Sequence, residues 1–92
     1  MNVPGTFQVI PNVPEVISIS AEVKSDQGIE GKSVSKVESK LGARVAMVDR
    51  VQEDGKTIVL DPSDVESIQL GDRLYILLLK EHLKKLEKTF GS

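Results

Sequence analysis

Apolar and polar residues alternate along 17–24: Ile17, Ile19, Ala21 and Val23 are apolar, and Ser18, Ser20, Glu22 and Lys24 between them are polar. That period of two predicts a half-buried strand. Ser25-Asp26-Gln27-Gly28 ends it, and Ile29 is placed to dock on the core. The period then changes. Val34, Val37 and Leu41 fall at i, i+3 and i+7 and predict a short helix over 34–41, with Gly42 closing it in a left-handed conformation. Ser35 followed by Glu38 offers a capping box, and Ser33 is the competing cap. Residues 44–48 and 57–60 read as two strands joined by the hairpin turn Glu53-Asp54-Gly55-Lys56.

After a loop over 61–69, with a helical turn expected at Asp64-Val65-Glu66, the turn Gly71-Asp72 leads into the apolar run 73–79. Gly71 admits a positive φ there, and Asp72 can bond nearby backbone. The run is too short to cross a bilayer and suits a buried, central strand. Leu83, Leu86 and Phe90 give the closing helix its apolar stripe, and Gly91 stops it. The predicted order is β-α-β-β-β-α, an α/β (α+β) fold with a mixed, mostly antiparallel sheet. Both helices can cover one face of that sheet. The other face or an edge then needs cover, which argues for a second copy.

Pro4, Gly5, Pro11 and Pro14 crowd the first 14 residues. Prolines this dense oppose helix and central strand alike. Residues 1–14 therefore read as a linker or edge extension, with a short strand available at 6–10, and 15–92 as the domain.

The chain has 92 residues, enough for one small domain with a modest core. Twelve Lys plus Arg stand against 14 Asp plus Glu, a net charge of −2, which offers no basic face for nucleic acid. Three aromatic residues, Phe7, Tyr75 and Phe90, leave few platforms for stacked bases. With no cysteine, neither disulfides nor thiolate metal sites enter the picture. No window has the length and composition of a membrane span or signal peptide.

Candidate chemistry is sparse. His82 is the one histidine, too few for a metal set and without the neighbours of a triad. Asp61, Asp64 and Glu66 suit turn formation better than paired-carboxylate catalysis. Gly31-Lys32-Ser33 matches only the end of a phosphate loop, because Asp26 stands where its first glycine belongs. The basic residues of the second hairpin are more informative. Arg44 and Arg50, both at even positions of one strand, are expected on one face, with Lys56 across the turn. Two arginines so placed can grip phosphate oxygens. A solvated face paired with Glu53 or Asp49 is the more ordinary account of them. Lys80, Lys84, Lys85 and Lys88 form a basic helix face that is either solvated or suited to an acidic partner.

Taken in order, Gly31-Lys32-Ser33, the strand over 43–49 ending at Arg50, Asp61-Pro62-Ser63-Asp64, Gly71-Asp72, the strand 75–79 and the helix 83–90 resemble the TrkA C-terminal domain, the C-terminal part of regulators of potassium conductance. The resemblance spans about residues 15–90. It implies a cytosolic, non-catalytic, ligand-sensing regulatory domain that works as a homodimer. Its expected partner is a membrane cation channel, transporter, antiporter subunit or preceding domain, with no nucleic acid and no membrane insertion. No cofactor is required. Some members hold cyclic di-AMP or a related nucleotide at the dimer interface, and by that resemblance Arg44, Val45, Arg50 and Lys56 are the candidate ligand-binding residues. Two features depart from the family pattern: Arg44 stands where an aliphatic residue is more usual, and Asp49 adds a charge that repels phosphate. A small phosphate-handling enzyme and a ligand-free oligomerisation module are the alternatives.

Overall fold

The computed structural model describes residues 15–91. The expected linker at 1–14 lies outside them. The elements are β1 (Val16–Glu22), α1 (Val34–Leu41), β2 (Ala43–Val51), β3 (Thr57–Leu60), β4 (Arg73–Leu79) and α2 (Leu83–Phe90), with short 3-10 turns at Pro62–Asp64 and Lys80–His82. The helical turn expected at 64–66 thus lies earlier. Pro62 presets its first φ, and the Asp61 carboxylate accepts the Ser63 N–H.

The four strands form one sheet in the order β1-β4-β2-β3, and every pairing is antiparallel. β4 is central, as expected, but buried on one face only. Leu74, Ile76 and Leu78 enter the core, while Tyr75, Leu77 and Leu79 face the other way and are exposed. An unbroken apolar run cannot by itself distinguish a strand covered on both faces from one covered on a single face.

The core lies between the sheet and its helices. Val37 and Leu41 of α1 and Leu86 of α2 pack with Val45, Val48, Leu74, Ile76 and Leu78, and Val23, Ile29, Val65 and Ile68 from the connecting loops complete the cluster. α1 is capped by Ser33, whose hydroxyl accepts the Lys36 N–H, so the alternative box at Ser35 and Glu38 does not form. Glu38 instead reaches β2, where its Oε2 accepts the Val45 N–H at 2.9 Å. β3 pairs with β2 only from Val48 to Val51. Glu38 supplies an acceptor on the part of β2 that β3 leaves uncovered, where an unmatched N–H would cost free energy.

Candidate functional site: a buried arginine latch, an end cleft and a bare sheet face

β2 departs from regular alternation. Its register with β4 shifts between Val45 and Met47, a bulge that places one extra residue in β2. Before the bulge, Arg44 pairs with exposed Leu77 and Val45 with buried Ile76. After it, Met47 pairs with exposed Tyr75, Val48 with buried Leu74 and Asp49 with exposed Arg73. An inserted residue reverses the facing of everything beyond it. The expectation that Arg44 and Arg50 share a face is therefore corrected. Arg44 points outward, and Arg50 lies on the core side.

Arg50 is spent on a structural task. Its Nε donates to Asp72 Oδ1 at 3.0 Å, and its Nη2 donates to Asp72 Oδ2 at 2.9 Å and to the Ser67 carbonyl at 3.1 Å. Asp72 Oδ2 also accepts the Gln69 N–H at 2.9 Å. The Asp72 side chain is 1% exposed and that of Arg50 is 21% exposed. The Asp72 hydrogen bond holds the guanidinium pKa above its usual value, opposed by partial burial. The Nε–Nη2 edge, which grips an anion at two points, is thus occupied by a carboxylate from within the chain. The pair ties the end of β2 to the loop before β4. That loop is fixed a second time, by Gly71 N–H donating to the Val23 carbonyl and Val23 N–H donating to the Asp72 carbonyl. Neither Glu53 nor Asp49 is the partner of Arg50.

The other three predicted ligand residues do not gather around it. Val45 is buried in the core. Lys56 is exposed at the β2–β3 turn, where its N–H donates to Asp54 Oδ1. Arg44 stands at the opposite end of β2, its side chain 82% exposed and 3.8 Å from Glu38 Oε1, a loose pair.

Arg44 does border a cleft of about 590 Å³ at the strand ends, whose other walls include Ser35, Ser39, Leu77, Leu79 and His82. His82 is oriented within it. The Gly42 carbonyl can only accept, so Nδ1 carries the proton in their 2.6 Å bond and Nε2 is left as the other ring nitrogen. The cleft offers one cation, the Glu38 carboxylate 3.8 Å from it, two serine hydroxyls, an imidazole and an aliphatic wall, a set that can hold a small polar ligand with an apolar part. Sequence reasoning set His82 aside and missed Ser35 and Ser39 as its neighbours, because the chain brings the three together only through the fold.

The largest unexplained feature adjoins the cleft. Val16, Met47, Val51, Val59, Tyr75, Leu77 and Leu79, between 38% and 63% exposed, all lie on the sheet face that carries no helix. Tyr75 O–H donates to Asp49 Oδ2 at 2.6 Å on that face, and Arg73 lies 3.9 Å from Glu22. Among the described residues, no group of three or more His, Asp or Glu side chains is arranged to hold a metal, and no helix is long and apolar enough to cross a membrane.

No protein-family model matches the chain, and no curated protein matches it. Solved structures do. The chain is similar to S. agalactiae BusR in complex with its busAB-promotor DNA, with a TM-score of 0.58 and 24% identity over 90% of this chain and 39% of that one. A second match is S. agalactiae BusR in complex with its busA-promotor DNA, with a TM-score of 0.59 and 20% identity over 91% of this chain and 41% of that one. The chain thus spans about two fifths of the length of these proteins, and the likeness establishes the α+β fold. It also corrects one expectation. Nucleic acid was set aside from charge balance, yet both similar chains stand in complexes with promoter DNA. The charge of a segment covering two fifths of such a chain reports only on that segment, not on what the remaining length binds.

Proposed function

We propose that this chain is a non-catalytic regulatory module that senses a small ligand, pairs with a second copy, and serves as the effector-responsive part of a longer cytosolic regulator acting on DNA. The observation that carries the reading is the end cleft opening beside the bare sheet face. A ligand seated there touches Arg44, Leu77 and Leu79, which belong to the cleft wall and to the outer face together. Such a ligand favours one arrangement of the pair over another, and the rest of the assembly responds as a population shift. The ligand class is a nucleotide, cyclic di-AMP first among them. Support for this comes from the resemblance to the TrkA C-terminal domain and from the mix of cation, hydroxyls and aliphatic wall in the cleft. That resemblance offered a potassium or other cation transport system as the parent; the likeness to DNA-bound regulators favours a regulator of gene expression.

Ligand binding is tested by thermal denaturation against a nucleotide panel. A ligand that binds only the folded state stabilises it by about 2.7 kcal/mol at one hundred times its dissociation constant. We expect cyclic di-AMP to raise the Tm, and Arg44→Ala to abolish the rise. A flat response across the panel, or hydrolysis of any nucleotide by the pure chain, overturns the reading.

A further inference from the structure

We infer that the helix-free face of the sheet is the surface on which a second copy of this chain docks, centred on Met47, Tyr75 and Leu77. The inference takes up the paired arrangement of the proposed function and assigns it a surface and an orientation.

Seven large apolar side chains are exposed on one face, with Val51 and Val59 beyond Asp49 and the other five on the Met47–Tyr75 side, a concentration that marks an interaction surface. The opposite face of the same sheet carries both helices and the core, so the exposure is confined to one side. Area is consistent with a stable pair. Three strands about 24 Å long and a fourth of about 14 Å, about 4.8 Å apart, project about 400 Å². With side-chain relief that is roughly 600 Å² of accessible surface per copy, or about 1,200 Å² for the pair, the lower end of specific interfaces.

Charge selects the second copy over an unrelated partner. In register along β2 and β4, Arg44 lies beside Leu77, Met47 beside Tyr75, and Asp49 beside Arg73. The outer face thus carries a cation one step to one side of Met47 and a carboxylate one step to the other. Glu22 adds a second carboxylate at the Asp49 end, and Arg73 between the two leaves that end with one net negative charge. A two-fold axis running across the strands at the level of Tyr75 turns one end of the face onto the other. It places Arg44 over Asp49 of the partner subunit, and the reverse, while the apolar centre meets itself. The surface is therefore self-complementary, as a two-fold interface requires.

The test is the mass of the full chain in solution, by light scattering or sedimentation at high micromolar concentration. The wild type is expected to be a dimer. Leu77→Glu and Met47→Glu, at positions already exposed, are expected to be folded by circular dichroism and monomeric. Arg44→Asp is expected to weaken the dimer by about tenfold or more, and Asp49→Arg added to it to recover most of that loss. Lys84→Glu, on the outer side of α2, should leave the dimer intact. A monomeric wild type, the result expected if residues 1–14 or another domain occupied this face, overturns the proposal. So does a dimer that survives both glutamate substitutions, or a charge swap that fails to rescue. A monomeric wild type removes the pairing from the proposed function as well, a dimer that survives both glutamate substitutions overturns only the surface assigned here, and a flat thermal response overturns only the ligand.

Discussion

Replacing Arg50 by alanine leaves the Asp72 carboxylate, 1% exposed in the intact chain, with only the Gln69 N–H as a donor. Removing one partner of a buried ion pair costs about 3–5 kcal/mol, because the other charge remains in a poor solvent. The guanidinium here keeps 21% exposure, so the lower end applies and we expect a loss of about 3 kcal/mol. Asp72→Ala should cost less, about 2 kcal/mol, since Arg50 has a route to water while the Gln69 N–H loses its acceptor. The double substitution should cost about 3 kcal/mol rather than the sum, a coupling of about 2 kcal/mol. A chain of this length is typically stable by only about 5–14 kcal/mol, so Arg50→Ala removes a large share. Urea denaturation measures all three variants, and a denaturation slope near 1 kcal/mol per molar converts the Arg50→Ala loss to a midpoint about 3 M lower. Losses under about 1 kcal/mol for both single variants, or strictly additive losses, would show the pair to be no more than a surface contact. Arg50 would then be free to meet a ligand.

Three further outcomes follow from the same geometry. The Tyr75 pKa is raised, first by its hydrogen bond to Asp49, then by desolvation and by the charge of Asp49, with Arg73 opposing. Its contribution to stability is therefore present below the free phenol's pKa and lost as pH rises through the folded value; ultraviolet titration of this sole tyrosine should show an upward shift that Asp49→Asn reduces. The Asp61 carboxyl pKa is lowered by the Ser63 hydroxyl and then by the Ser63 N–H. Its contribution is present above the unfolded carboxyl's pKa and lost as pH falls through the folded one, so Asp61→Asn should flatten the acid limb of a stability-against-pH curve. Gly42 caps α1 at φ 64°, and a Cβ there would stand 3.1 Å from His82 Nδ1. Gly42→Ala should cost about 1–2 kcal/mol by thermal denaturation, from the left-handed backbone and the displaced imidazole.

Most of the architecture was legible because local chemistry and long-range packing agree. Alternation at β1, the Val34-Val37-Leu41 stripe, the Asp54-Gly55 turn and the Gly71-Asp72 corner each point to the element that forms. The site was less legible. Parity put Arg44 and Arg50 together, and one bulged residue put them on opposite faces. A trace of it is present in the chain: Val45 and Val48, both buried, are three apart, which a regular strand cannot place on one face. The Arg50–Asp72 pair joins residues 22 positions apart that no local period connects. The bare face was foreseen only as a need for cover, because the run 73–79 gives no indication of which of its sides the helices choose.

The extra residue in β2 has an evolutionary consequence. It divides one nine-residue strand into two segments with separate duties. Substitutions at Arg44 retune what meets the outside, whereas Val48 and Arg50 beyond the bulge are answerable to the core. Related chains are thus free to vary recognition at one end of the strand while the other end stays pinned, so that novelty at the rim need not be matched by repair at the centre.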